Sequence, residues 1–289
     1  MANEKLKVGV LGLGLIGGSI LKALHSTGKY FLYAISKSSY KKAESFADVA
    51  SCDINLLAEC DVVFVCSKMN ETNEKLYELN SILKKETIVA DVCSIKNFLP
   101  NNLNYNFISS HPMAGTEFTG FENSFKELFY NAKWIIEKNN PILEELILDM
   151  KAKPILLERK KQDEITAKIS HLPMLIAFAL FDSTENEDRI IASSGFRDMT
   201  RLALTNPDMA FDMLHFNKEN ILAAYEKLLL KFEELKNLDE ENFKNKVQQI
   251  AEKRQKMYDE NGKNILWYIE NLEHIKDYLN KRGYYQFPF

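Results

Sequence analysis

The 289-residue sequence predicts an α/β domain with a doubly wound, mainly parallel sheet, followed by a domain made only of helices. Short apolar runs alternate with helical segments as far as residue 157, which is typical of a parallel sheet with helices on both faces. Beyond residue 160 the strand signals end and long segments of helical periodicity follow. Eight of the eleven glycines lie before residue 121, so the first part has many turns and the last part few.

Seven segments of the first part are predicted to be strands, because they are short, apolar and rich in β-branched residues. They cover residues 7–13, 30–35, 61–66, 87–92, 105–109, 134–137 and 154–157. Helical spacing follows the first strand over residues 16–26, and polar helical segments start near residues 39 and 70.

The second part is predicted to consist of four helical segments, over residues 161–184, 187–204, 208–236 and 240–280. Pro173 interrupts the first of them, and Pro207, after Asn206, is expected to begin a new helix. We therefore expect two domains, residues 1–159 and residues 160–289.

The composition argues against several classes of protein. With 46% hydrophobic and 27% charged residues, the chain has the make-up of a globular protein with a sizeable core. A net charge of −4 argues against nucleic acid as a partner. The apolar run at 172–181 is too short to span a bilayer, and the amino terminus has no signal-peptide pattern. The four cysteines fit no zinc pattern, so we expect reduced thiols, no metal site and a cytoplasmic location.

A glycine loop follows the first predicted strand and opens a helix. Gly12, Gly14 and Gly17 form the G-x-G-x-x-G fingerprint of dinucleotide binding in the context that it requires. Gly12 allows the tight turn, Gly14 lets the backbone approach a pyrophosphate, and Gly17 lets the helix pack close to the strand. We assign Leu15 and Ile16, between the last two glycines, to the same cofactor site.

The end of the second predicted strand should select the cofactor. A site for NAD usually has Asp or Glu there, but this chain has Ser36 and Lys37. Serine does not repel a 2′-phosphate and lysine can pair with one, so these residues favour NADP over NAD. Ser67, after the third predicted strand, is also assigned to the cofactor site.

Three further motifs are more specific than the glycine loop. They are Asp-Val-Cys-Ser-Ile-Lys at 91–96, Ser-His-Pro-Met-Ala-Gly-Thr-Glu at 110–117 and Ser-Gly-Phe-Arg-Asp-Met-Thr-Arg-Leu-Ala at 194–203. Together with the glycine loop and Ser-His-Leu-Pro at 170–173, they resemble the prephenate/arogenate dehydrogenase family of tyrosine biosynthesis. The resemblance runs from about residue 6 to about residue 280. It implies a Rossmann-type domain followed by a helical dimerisation domain, and hence a homodimer.

The resemblance also implies a reaction and its catalytic residues. The family oxidises and decarboxylates prephenate to 4-hydroxyphenylpyruvate, passing a hydride to NAD or NADP. His111 matches the residue that accepts the hydrogen bond of the ring hydroxyl, and a neutral imidazole suits that task. Ser94 matches a serine that can bond the same hydroxyl or orient His111, close to the nicotinamide. We expect His111 to end the strand at the carboxyl edge of the sheet.

The substrate's carboxylates call for a cationic clamp, which the resemblance places at Arg201. A guanidinium can grip a carboxylate with two parallel bonds. Arg197 lies four residues earlier, so we expect both arginines on one helix face, with Asp198 holding Arg201. An exposed, solvated position is the alternative for Arg197.

Two more residues are expected at the substrate site by resemblance. His171 should face the pocket, although a buried helix histidine satisfied by the carbonyl that Pro173 leaves free is the alternative. Glu117 matches a glutamate at the site entrance. Met174 and the pair Ala210-Phe211 depart from the family's pattern, which leaves the preference between prephenate and arogenate open.

The sequence is also compatible with other hypotheses about function. The glycine loop near the start of the chain leads us to expect a monofunctional form. A β-hydroxyacid or imine dehydrogenase would also join such a sheet to helices, but His111 and Arg201 argue against it. A dinucleotide-sensing regulator would bind the cofactor without turnover, since a fold does not determine a function.

Overall fold

The computed structural model describes residues 4–116 and 118–261, the last four of them by backbone alone. Six parallel strands form the main sheet in the order β3-β2-β1-β4-β5-β6. Their bounds are β1 Lys7–Leu11, β2 Phe31–Ile35, β3 Val49–Ser51, β4 Val62–Val65, β5 Ile88–Asp91 and β6 Asn106–Ile108. The strand order reverses between β1 and β4, and ligands of such sheets bind outside the carboxyl ends of the strands at this switch point.

A second, smaller sheet continues directly from the first. It contains β7 (Ser110–Pro112), β8 (Lys133–Ile136) and β9 (Lys153–Leu156). Strands β7 and β8 are antiparallel, and β8 and β9 are parallel. Only Ser109 separates β6 from β7, so the chain changes sheets within one residue of the carboxyl edge.

Helices cover both faces of the main sheet. They are α1 (Leu15–His25), α2 (Met69–Leu79) and α3 (Pro141–Asp149), with short 3₁₀ helices at Tyr40–Phe46, Ile54–Glu59 and Phe121–Asn123. Alternate residues of the strands point to opposite faces of the sheet and pack in two separate buried cores. Phe64 of β4 packs in the core with α1 and α3, whereas Val63 and Val65 pack in the core with α2.

The second part of the described chain is helical. It begins with α4 (Arg159–Thr166), one π-helical turn at Ala167–His171 and α5 (Leu172–Asp182), which follow without a break. It continues with α6 (Ser194–Thr200), α7 (Pro207–Phe216), α8 (Lys218–Lys236) and α9 (Glu240–Asn261), and with 3₁₀ helices at Asp188–Ile191 and Arg201–Leu204.

The predicted fold class is confirmed, and each predicted strand overlaps an observed one. The expectation missed β3 and β7, which have three residues each. The polar helix near residue 39 is the 3₁₀ helix Tyr40–Phe46. Pro207 does begin α7, where the Asn206 side chain accepts a hydrogen bond from the Met209 amide at 3.2 Å. The end of the predicted segment 240–280 lies outside the described residues.

By compactness the chain divides into one unit up to Glu226 and a second from Lys227. The boundary expected between residues 159 and 160 does not coincide with this division and stays a prediction. Within the described residues, the continuous helix Arg159–Asp182 is long and apolar enough to cross a membrane, which by itself is weak grounds for a membrane protein. Its buried polar side chains are used in the site described below.

Candidate active site

The glycine loop has the shape that a dinucleotide requires. Gly12 has a φ of +94°, and a Cβ on it would lie 2.6 Å from the carbonyl oxygen of Cys66. A Cβ on Gly17 would lie 1.9 Å from the carbonyl oxygen of Gly12, so helix and strand meet too closely for any side chain. Around Gly14, by contrast, no described atom beyond the glycine and its two chain neighbours lies within 4 Å of such a Cβ. The open space over Gly14 fits a pyrophosphate.

The start of α1 suits the same ligand. Gly14 is the N-cap and has no side chain to cap the free N–H groups of the first turn, which contains no acidic residue. Leu15 and Ile16 begin the helix, where aligned N–H groups and the helix dipole attract phosphate. The residues present therefore fit a dinucleotide.

Polar residues end the two strands that flank β1. Ser36 follows β2, and its hydroxyl accepts a hydrogen bond from the Ser39 amide at 3.2 Å. The neighbouring Lys37 is exposed. Ser67 follows β4, and its hydroxyl lies 3.1 Å from that of Thr72. All three residues follow the carboxyl ends of the strands that flank β1, and their part in a cofactor site stays a prediction.

A buried ion pair organises the end of β5. The ammonium of Lys96 lies 2.5 Å from a carboxylate oxygen of Asp91, and both side chains are fully buried. Lys96 also donates to the carbonyl oxygen of Ser110 at 2.6 Å, and the other carboxylate oxygen of Asp91 accepts from the Ser110 amide at 2.9 Å. The pair therefore fixes the start of β7 against the end of β5.

His111 is held by a glutamine. It lies in β7 opposite Ile135, so it belongs to the smaller sheet and does not end the sixth strand as expected. Gln162 Nε2 lies 3.1 Å from the carbonyl oxygen of Ser94 and 3.2 Å from Nδ1 of His111. Because a carbonyl oxygen only accepts, the amide nitrogen must face both atoms, and Nδ1 of His111 accepts. In this arrangement a neutral His111 carries its proton on Nε2.

The surroundings keep His111 uncharged. Burial lowers the pKa of its ring well below 6.5, and the positive charges of Lys96 and of a protonated His171 lower it further. Gln162 also contacts the backbone of Ser94, whose hydroxyl oxygen is buried and has no hydrogen-bond partner within residues 4–116 and 118–261. A polar ligand would complete an unpaired buried hydroxyl of this kind.

His171 is the second buried imidazole near this point. It closes the π-helical turn, is fully buried, and has its Nδ1 3.1 Å from Nδ2 of Asn217. Burial lowers the pKa of its ring to about 4. The sequence alternative, a histidine satisfied by a helix carbonyl, is not what the structure shows, because Asn217 provides the contact. Its Nε2 is buried and lacks a partner in the described part of the chain.

Asp163 joins the helical part to the end of β5. Its two carboxylate oxygens accept hydrogen bonds from the amides of Lys96 and Asn97, each at 2.8 Å. Burial raises the pKa of this carboxyl, and those two bonds oppose the rise. These two hydrogen bonds connect helix α4 to the segment after β5 that contains Ser94.

The arginine motif differs from the expectation. Asp198 pairs with Arg197, Nε to Oδ1 at 3.3 Å, and not with Arg201. Both partners are exposed, so the pair adds little stability. Helix α6 ends at Thr200, and Arg201 begins a 3₁₀ turn, so the two arginines do not share one α-helical face. Arg201 is exposed and has no ion pair among the residues described.

Sequence reasoning found the histidines but missed the amides that hold them. Gln162 and Asn217 belong to none of the motifs, and no periodicity distinguishes them from structural residues. Asp91 and Lys96 belong to one of the sequence motifs, but the sequence predicted no role for either residue. Glu117 lies outside the described residues. Within the described ranges, no group of three or more His, Cys, Asp or Glu side chains is placed to hold a metal ion.

The strand order, the switch point and the glycine loop define a dinucleotide-binding protein of the Rossmann type. Two family models match the chain. The prephenate dehydrogenase nucleotide-binding domain matches residues 18–152, and the prephenate dehydrogenase dimerization domain matches residues 158–253. The chain belongs to the prephenate dehydrogenase family.

Relatives and solved structures agree with this. The chain is 29% identical over 240 residues to a prephenate dehydrogenase of Lactococcus lactis subsp. cremoris, covering 76% of this chain and 67% of the relative. The structure of prephenate dehydrogenase from A. aeolicus in complex with hydroxyphenyl propionate and NAD+ is 27% identical, with a TM-score of 0.79 over 89% of this chain and 100% of the other. Synechocystis arogenate dehydrogenase is 28% identical, with a TM-score of 0.77 over 87% of this chain and 100% of the other.

Proposed function

We propose that this protein is an NAD(P)-dependent prephenate dehydrogenase, which oxidises and decarboxylates prephenate to 4-hydroxyphenylpyruvate in tyrosine biosynthesis. One observation carries the proposal. A neutral imidazole, His111, is held in place by Gln162, which also contacts the carbonyl oxygen of Ser94, a residue whose buried hydroxyl has no partner in the described chain. Loss of a proton and a hydride from one carbinol requires a proton acceptor near the cofactor.

The protein's own residues accept the proton of the substrate's ring hydroxyl. When bound, the nicotinamide accepts the hydride. To receive the hydroxyl proton on Nε2, His111 must first carry its ring proton on Nδ1. Gln162 then has to turn its amide, so that the oxygen accepts from Nδ1 and the bond to the Ser94 carbonyl is given up. Departure of carbon dioxide makes the ring aromatic and returns an electron pair to the ring oxygen, which takes its proton back from Nε2 of His111. We assign Ser94 to bond the same hydroxyl.

We assign Arg201 to a substrate carboxylate and His171 to the same pocket. An exposed guanidinium without an ion pair in the described chain is free to take up an anion. Arg197 is already engaged with Asp198, which favours its role as a solvated surface residue. Glu117 stays a prediction from resemblance.

The test is nicotinamide reduction with prephenate and with arogenate, each with NAD+ and NADP+. We expect turnover with prephenate. Turnover with arogenate alone would show that arogenate, and not prephenate, is the substrate. The reaction would be the same, because the two molecules differ only in a keto or ammonium group on the side chain. Cofactor binding without turnover on either would favour the dinucleotide-sensing regulator instead.

The preference for NADP is part of the proposal and is supported by Ser36 and the exposed Lys37 after β2. If Lys37 pairs with the 2′-phosphate, Lys37→Glu should raise KM for NADP+ roughly 10–100-fold and leave that for NAD+ nearly unchanged, since a charge-assisted hydrogen bond is lost. The control is Lys85→Glu, an exposed lysine before β5 at the opposite edge of the sheet. Equal effects on the two cofactors would contradict the preference.

A homodimer is also proposed, because large apolar side chains in the helical part are exposed in the single chain. Ile190, Ile191, Leu204, Phe211 and Leu230 are between 66% and 89% exposed. Surfaces of this kind mark interaction sites. The cytoplasmic location stays a prediction.

A further inference from the structure

The side-chain amide of Asn217 has a defined orientation. It lies between α7 and α8 and is almost fully buried. Its Nδ2 lies 2.9 Å from the carbonyl oxygen of Asp163, which can only accept a hydrogen bond, so the NH₂ group must face that way. Its Oδ1 accepts from Nδ2 of Asn220 at 2.8 Å, which agrees with the same orientation.

This orientation determines the tautomer of His171. The second hydrogen of the same NH₂ group faces Nδ1 of His171 at 3.1 Å. Nδ1 must therefore accept, and a neutral ring must carry its proton on Nε2. Burial keeps the ring neutral, because it lowers the pKa to about 4.

The resulting N–H group is an unused donor. Nε2 of His171 is buried and has no hydrogen-bond partner within the part of the chain that the structure describes. A buried donor without an acceptor is costly, so a natural protein normally provides one. His171 lies close enough to His111 for its charge to lower the pKa of that ring. Gln162, which contacts His111, is followed in α4 by Asp163, whose carbonyl oxygen accepts from Asn217. We therefore assign the unused donor to the same pocket as His111.

We propose that Asn217 is a positioning residue, which holds His171 in the Nε2–H tautomer so that this N–H donates to a negatively charged oxygen of the substrate. The identity of that substrate rests on the proposed function, whereas the tautomer does not. An anionic acceptor is favoured because a hydrogen bond to an ionised acceptor is about twice as strong as one between neutral groups.

The tautomer is measured directly on the full-length protein without ligands. In ¹⁵N-histidine-labelled protein at pH 8, the ¹⁵N chemical shifts distinguish protonated from bare ring nitrogens, and the signals of His171 are identified by their loss in His171→Gln. We expect a proton on Nε2 and none on Nδ1. A proton on Nδ1 in the wild-type protein would overturn the proposal without any need for a variant.

The variant Asn217→Asp reverses the contact with nearly the same shape. A carboxylate can only accept, so Nδ1 must become protonated and the neutral ring must expose a bare Nε2. Binding of 3-(4-hydroxyphenyl)propionate in the presence of NAD+, measured by calorimetry at pH 8, should weaken at least tenfold, as expected for a lost bond to a charged oxygen. An affinity within twofold of wild type, with the tautomer switched, would overturn the donor role.

The matched control is Asn80→Asp. The Asn80 side chain already uses its oxygen as an acceptor, from the Asn104 amide at 2.8 Å, so the change should leave tautomer and affinity unaltered. If the wild-type protein shows the Nε2–H tautomer but does not bind the probe at all, the proposed function fails and the positioning by Asn217 stands.

Discussion

His171 is uncharged at neutral pH because burial lowers the pKa of its ring from 6.5 to about 4. In the unfolded chain the same ring is protonated below about pH 6.5. Between these two values the unfolded state binds more protons, so stability rises with pH and is lost on acidification. The lowered pKa of His111 acts in the same direction.

We therefore predict that acidification from pH 7 to pH 5 lowers the free energy of unfolding by about 2 kcal/mol through His171 alone, by linkage. Urea unfolding followed by circular dichroism at both pH values measures the difference. In His171→Gln, which does not titrate, the loss between the same pH values should be smaller by that amount. An unchanged loss in this variant would contradict the buried, neutral ring.

Catalysis at the residue scale is tested with His111→Asn. Asparagine has no nitrogen that can accept a proton, so kcat should fall by about 10²–10⁴-fold, the usual contribution of general base catalysis. Cofactor affinity, measured by quenching of protein fluorescence, should stay within a few-fold of wild type. A parallel loss of cofactor affinity would place His111 outside the proton-transfer step.

At the scale of single elements, two glycines of the β1–α1 connection should have different effects, one on stability and the other on cofactor binding. Gly17→Ala puts a Cβ 1.9 Å from the Gly12 carbonyl oxygen and should cost about 1–3 kcal/mol of stability through overpacking. Gly14→Ala meets no described atom within 4 Å, so thermal unfolding should hardly change while affinity for the cofactor drops. Equal stability losses in both variants would contradict the loop geometry described above.

The end of β5 depends on the buried pair of Lys96 and Asp91. Lys96→Met leaves the carboxylate charged and buried without its partner, which should cost about 3–5 kcal/mol of stability. Asp91→Asn combined with Lys96→Met should lose less than the single change, because no bare charge remains. Denaturant midpoints of both proteins measure this, and a double variant less stable than the single one would refute the account.

The elements show how far the sequence alone can lead. Strand–helix alternation predicted the parallel sheet, since buried strands such as Val62–Val65 are apolar on both faces. It missed β7, because Ser110, His111 and Pro112 form a strand only through pairing with β8. It also missed the link from Gln162 to His111, because contacts between residues 51 positions apart leave no trace in local spacing.

The arginine motif shows the same limit. Four-residue spacing predicted one helix face for Arg197 and Arg201, but the α-helix ends at Thr200. The sequence supplied the residue types for an anion site, and tertiary packing decided which carboxylate pairs with which arginine. Asp198 forms its ion pair with the adjacent residue in the chain, Arg197.

At the scale of the whole molecule, the exposed apolar residues should join two copies of the chain. Ile191, at 89% exposed, is the most exposed large apolar side chain among those described. If it lies in the interface, Ile191→Asp should shift the mass seen by light scattering from dimer to monomer, since a carboxylate is costly to bury. Tyr77→Asp, on α2 of the sheet domain, is the control and should remain dimeric. A monomeric wild-type protein would contradict the dimer.

The single π-helical turn at Ala167–His171 makes the long helix sensitive to its length. An α-helix advances about 100° per residue, and the wider turn absorbs one extra residue between α4 and α5. Deleting one residue there would let a regular α-helix run through. Because the wider turn accommodates that residue, the deletion would leave α5 facing nearly as it does now. A one-residue deletion in the regular α-helix just before the turn would instead rotate His171 by about 100° relative to Gln162 and Asp163. The π-helical turn is therefore the one place in this part of the helix where a deleted residue would keep the imidazole in phase with the amide and the carboxylate.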